Sequence, residues 1–72
     1  EAVKIAAEFE EKGVKFYKDL AASSTDPREK AFFELLSSIE YEHYLSLRDA
    51  EEYFENPAGW FVKTEHLMWD GG

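Results

Sequence analysis

One strong helix-start signal divides this chain, and the rest of its fold follows from where that signal falls. Asp26 is a good N-cap, Pro27 is pre-organised for the first helical position, and Glu29 completes a capping-box pattern. Ala22-Ser23-Ser24-Thr25 before it reads as a turn. Upstream, residues 2–22 carry Val3, Ala6, Glu10, Gly13, Tyr17 and Leu20 at alternating spacings of three and four, the mark of a helix with an inward seam. Ile5, Phe9 and Phe16 make a second apolar stripe beside that seam, more than a two-helix contact needs. Downstream, a longer helix is predicted from about Pro27 to Phe54, with Phe33, Leu36, Glu40, His43, Leu47, Ala50 and Phe54 on its seam. Asn56-Pro57 ends it. Two helices joined by a short turn pack antiparallel. The predicted architecture is therefore all-α, with a helical hairpin over 1–56 and an aromatic tail over 57–72.

Three ionisable residues interrupt the apolar seams: Glu10 on the first helix, Glu40 and His43 on the second. A buried carboxylate is costly unless it is paired, hydrogen-bonded or bound to a metal. Glu40-x-x-His43 places a carboxylate and an imidazole on one helical face, roughly 5–6 Å apart at Cβ. Glu10 lies about twelve residues before the end of the first helix and Glu40 about thirteen after the start of the second. At ~1.5 Å rise per residue both sit roughly 18–20 Å from the turn. The three side chains are thus level, as a shared metal ion requires. Two plainer readings remain open: Glu10 as a surface acid beside Glu8 and Glu11, and His43 as a core histidine bonded to a neighbour.

Composition narrows the function. Seventy-two residues make one small domain, in the range where a single chain struggles to bury enough apolar surface. The chain is nevertheless 44% hydrophobic, with six Phe, four Tyr and two Trp, too apolar for a disordered segment. Part of that surface is expected to be buried against another chain. A net charge of −8 argues against nucleic-acid binding, which needs Lys and Arg to neutralise phosphates. The absence of cysteine excludes disulfides, iron–sulfur clusters and thiolate zinc sites. No apolar run approaches a membrane span and no signal-peptide pattern is present, so a cytoplasmic setting is expected. Because it opens on Glu1, the chain is also read as a piece of something longer.

Glu10 and Tyr17 on one helix, followed by Glu40-x-x-His43 after the Asp26-Pro27 turn, resemble the rubrerythrin/ferritin-like family of di-iron carboxylate proteins. The Trp60-Phe61-x-Lys63-x-Glu65 tail ending in Asp70-Gly71 is similar to the C-terminus of its single-domain members. The resemblance covers one helical hairpin, half of a ferritin-like four-helix bundle. It implies that Glu10 is a metal-ligating carboxylate, that Glu40 bridges or caps the metal pair, and that His43 binds through a ring nitrogen. Tyr17 would hydrogen-bond a ligand carboxylate and fix its orientation. Two departures from the peroxide-reducing members stand out: they carry an additional Glu where this chain has Gly13, and they use a rubredoxin iron centre that a cysteine-free chain cannot form.

The resemblance implies two iron ions per assembled site, with manganese or zinc as alternatives. Two hairpins supply two Glu10, two Glu40 and two His43, the ligand set of a four-helix di-iron site. The partner is then a second copy in a homodimer or higher even oligomer, or an N-terminal hairpin of the same parent protein. Encapsulated ferritin-like proteins build their sites between two-helix chains, which implies a larger ring, and a protein compartment, as a further possibility. The expected activity is of ferroxidase or peroxidase type, oxidising ferrous iron or reducing O2 or peroxide. The alternative is a metal-free helical dimerisation module. A hydrolytic dinuclear site uses the same ligand types but lacks a substrate-binding loop. His66 beside Glu65 is not expected to form a second site, since adjacent helical residues diverge. Trp60, Phe61, Leu67 and Trp69 are read as apolar cover in a tail of one or two helical turns.

Overall fold

The computed structural model describes the backbone of residues 2–70 and the side chains of residues 2–65. It contains three helices, α1 (Ala2–Ser23), α2 (Pro27–Glu55) and α3 (Pro57–Asp70), and no strand among the described residues. The all-α expectation is met. α1 stops without a left-handed residue, since no described residue has positive φ. Its last-turn carbonyls are satisfied by serines instead: the Ser24 and Ser23 hydroxyls both donate to the Leu20 carbonyl, at 2.7 and 3.1 Å.

α2 begins as its sequence dictates. Asp26 has extended backbone (φ −83°, ψ 121°) and its Oδ1 accepts from the Arg28 N–H at 2.8 Å, with Pro27 opening the helix. Asp26→Ala should cost about 1 kcal/mol and Asp26→Asn only a fraction of that. The check is a lowered urea midpoint with an unchanged slope.

The tail differs from its expectation. It is not one or two turns but the 14-residue helix α3. Asn56 is the reason, because it closes one helix and opens the next. Its N–H donates to the Glu52 carbonyl at 2.8 Å, and its Oδ1 accepts from the Gly59 N–H at 3.1 Å. Pro57 then occupies the first helical position, where its missing N–H costs nothing. A Cβ at Gly59 would collide with the Asn56 amide, so this cap needs glycine. α3 is fastened to the end of α2 by Trp60 Nε1 donating to Asp49 Oδ1 at 3.0 Å and by a 2.6 Å Lys63–Glu52 ion pair. Tyr53 packs edge-on against both Trp60 and Phe61. That accounts for half of the apolar cover; the side chains of His66, Leu67 and Trp69 lie outside the described residues.

α1 and α2 touch through small side chains. Ala7, Ala21 and Ser37 are the only buried residues described, and no large side chain is fully enclosed. The predicted α1 seam (Val3, Ala6, Glu10, Gly13, Tyr17, Leu20) is half-buried throughout. On α2 the inward line is Phe33, Leu36, Ser37, Glu40, Tyr44, Leu47 and Ala50. Two members of the predicted α2 seam therefore turn outward: the His43 side chain is 58% exposed and Phe54 66%. A step of four residues from Glu40 stays closer to the contact line than a step of three. Tyr44 takes that place.

The hairpin is a single layer, 11 Å thick between Cα extremes. Glu11, Val14, Lys15 and Lys18 share a groove with Tyr41 and Tyr44, so these define one face of the layer. Helical spacing puts Ile5, Phe9, Phe16, Phe32, Leu35, Ile39 and His43 on the other. The six apolar members of this second face are between 38% and 77% exposed. The chain exposes 5813 Å² in all, against about 4,600 Å² for a compact monomer of 8.4 kDa.

Candidate metal centre

Glu10, Glu40 and His43 converge. One ligand atom from each lies within 4.8 Å of the others, across two helices and 33 residues of chain. Glu10 sits mid-way along α1 on its contact line with α2, and Glu40 faces it from α2 at the same distance from the turn. His43 Nδ1 approaches Glu10 Oε2 at 3.8 Å. The imidazole thus reaches the carboxylates from the apolar face of the layer rather than from inside the helix contact.

The carboxylates are held in an electrostatically unfavourable pair. Glu10 Oε2 has almost no accessible surface and no hydrogen-bond partner. The pKa of Glu10 is raised above its ordinary 4.5, chiefly because its protonated form can hydrogen-bond the Glu40 carboxylate, then by burial and by the Glu40 charge; His43 opposes the shift. A like-charged neighbour favours keeping one proton on the pair. The native state therefore holds that proton more tightly than the unfolded chain. This contribution is fully present below the unfolded pKa and lost as pH rises through the raised native pKa. In chelator, lowering the pH through that window should stabilise wild type relative to Glu10→Gln, which has no proton to bind. Paired thermal melts across the window measure it, and parallel curves would refute it.

Gly13 makes the room. A Cβ there would lie 3.3 Å from Glu40 Oε2, tighter than an ordinary contact, and at van der Waals distance (3.7 Å) from its Cδ and Cγ. Glu40 packs its carboxylate over the bare backbone of α1, and an alanine there would push that carboxylate outward by a few tenths of an ångström. Tyr17 is half-buried, with its ring stacked on Phe33 at 6.4 Å and edge-on to Phe16 at 5.4 Å. No hydrogen bond joins its hydroxyl to Glu10, Glu40 or His43 among the described residues.

The donor set is two carboxylates and one imidazole. Oxygen and nitrogen donors without sulfur suit iron, manganese or zinc. A buried, partnerless carboxylate oxygen beside a second carboxylate and an imidazole fits a divalent cation between Glu10, Glu40 and His43. The sequence reading missed Ser37, the buried polar residue one turn before Glu40. The spacing Phe33, Ser37, Glu40, Tyr44 could have found it, since it runs four–three–four along the contact line. Among the described residues no other cluster of acids, His or Cys is placed to hold a metal, and no helix is long and apolar enough to cross a membrane. No family model, curated protein or solved structure matches the chain.

Proposed function

We propose that this chain is half of a ferritin-like di-metal carboxylate protein, completed by a second hairpin that packs on its apolar face. The observation that carries the reading is the convergence of Glu10, Glu40 and His43 around the partnerless Glu10 Oε2. His43 supports the pairing because it is exposed on the same face as Phe32, Leu35 and Ile39. His43 would present the site to that face, where a twofold-related copy would bring the other three ligands. Two copies supply four carboxylates and two imidazoles, and four carboxylates balance two divalent ions, which removes the cost of burying the acids. The single-layer thickness points the same way, since stable domains are built from two packed layers.

Within such a site the Glu10–Glu40 pair would release any proton it holds so that both bind as carboxylates, and His43 would bind through the neutral imidazole. Glu10, Glu40 and His43 would hold a pair of ions that, as the resemblance to rubrerythrin-like proteins implies, would supply electrons to O2 or peroxide or would be the ferrous substrate that is oxidised. Gly13 keeps the Glu40 carboxylate free to seat. Leu36 and Tyr44 on either side of Glu40, with the apolar face of a second hairpin above, would keep bulk water out.

Metal content per chain and mass in solution test the reading together. The expected result, on untagged protein loaded anaerobically with ferrous iron, is about one ion per chain in a dimer or higher even oligomer. An even oligomer that takes up no metal favours instead a structural dimerisation module, for which the exposed apolar face alone is sufficient. A metal-free monomer would sink both.

A further inference from the structure

Ser37 is the one polar side chain buried between the helices among the described residues, at 5% exposure. Its hydroxyl donates to the Val14 carbonyl at 3.2 Å, joining residues 23 apart. It is also the one side-chain hydrogen bond that crosses from α1 to α2 among the described residues. Every other fully buried residue at this contact is alanine. Serine is a poorer helix former than alanine in a helix interior, so the hydroxyl opposes local propensity. Its bond lies one turn from both acids, since Val14 follows Glu10 by four residues and Ser37 precedes Glu40 by three.

We propose that Ser37 is a positioning residue whose hydroxyl locks the axial register of α1 against α2 and so keeps Glu10 and Glu40 level. The physical need is clear from the contact itself. The fully enclosed alanines, Ala7 and Ala21, carry no directional contact, and the larger seam side chains are only half-buried, while a slip of one residue moves one helix by ~1.5 Å. Hydroxyl-to-carbonyl bonds fall at about 2.5–3.0 Å; the Ser37–Val14 bond, at 3.2 Å, is already long, so a slip of one residue breaks it outright and the bond is tied to this register. A metal site tolerates only a few tenths of an ångström in its ligand positions. The register claim stands on the helix contact alone; only its consequence for metal binding rests on the function proposed above.

The test compares wild type, Ser37→Ala and Ser37→Thr as purified full-length protein. One readout is metal-free: the nuclear Overhauser contact between the Gly13 α-protons and the Glu40 side chain, which reports register at the site. The other is cobalt(II) affinity by competition with a chromogenic chelator. For Ser37→Ala we expect unchanged helicity and a melting temperature no lower than wild type. We also expect the Gly13–Glu40 contact to be lost and cobalt binding to weaken about tenfold or more, with Thr restoring both. An Ala variant that keeps the contact and the cobalt affinity overturns the proposal. So does one that loses helicity and affinity together without rescue by Thr. If the contact behaves as expected but wild type binds no cobalt, the register lock stands and the metal reading falls.

Discussion

If Glu10, Glu40 and His43 hold a divalent cation as proposed, Glu40→Gln will remove the thermal stabilisation that ferrous or manganous ion would confer on the wild-type chain. At a metal concentration one hundred times the dissociation constant, binding to the native state alone contributes ~2.7 kcal/mol. For a domain of this size that corresponds to a rise of more than about 10 °C in Tm, at 4–8 °C per kcal/mol. The Gln variant should show almost none of it. Without metal the sign reverses: Glu40→Gln relieves the repulsion against Glu10 and should melt no lower than wild type. Gly13→Ala gives a graded version. Alanine raises metal-free stability by about 0.5–1 kcal/mol through backbone entropy, while its Cβ, 3.3 Å from Glu40 Oε2, shrinks the metal-induced rise. Melts with and without chelator separate the two effects. A metal-induced rise that survives Glu40→Gln would remove Glu40 from the site.

The second large effect is on assembly. Phe9 is 77% exposed, the most exposed of the large apolar side chains on its face of the layer, and lies beside Glu10 in sequence. If that face receives a second copy, Phe9→Asp truncates an aromatic anchor at its centre and places a charge there. Aromatic hot spots are worth about 2–4 kcal/mol, so the dimer dissociation constant should rise at least about thirtyfold. Helicity should fall with it at micromolar protein. Tyr41→Gln is the control: Tyr41 is 50% exposed but lies on the opposite face, with Lys15 and Lys18. Sedimentation equilibrium on the two variants decides which face carries the interface. If Tyr41→Gln dissociates the protein and Phe9→Asp does not, the faces have been assigned the wrong way round.

The hairpin was legible because local chemistry and long-range pattern agree. Asp26 and Pro27 start α2 whatever it packs against, and the three–four spacing of the α1 seam is what a helix against one neighbour requires. The level placement of Glu10 and Glu40 followed from counting residues to a well-defined turn. Two features were not legible, for different reasons. His43 and Tyr44 are adjacent, and steps of three or four from Glu40 both fit a helical seam. Only the actual angle between α1 and α2 decides that Tyr44 goes in and His43 tilts outward. α3 was hidden because Asn56-Pro57 and Gly59 read as helix breakers, whereas the Asn56 side chain turns them into a cap. Ser37 carries no signal of its own, since a mid-helix serine is most often solvated; its acceptor, the Val14 carbonyl, is invisible until the helices are placed.

The single-layer hairpin also changes what a stability measurement on this protein can mean. A molecule 11 Å thick has two outsides and no interior, so most of its apolar residues are surface in the free chain. If the apolar face receives a second copy as proposed, substitutions along Ile5, Phe9, Leu35 or Ile39 would have little folded monomer to destabilise. Their effect would appear as a shift in the protein concentration at which helices form, and a melting temperature quoted without that concentration would be undefined. A tenfold dilution would act like a mutation, and crowding many copies together would act like its suppressor.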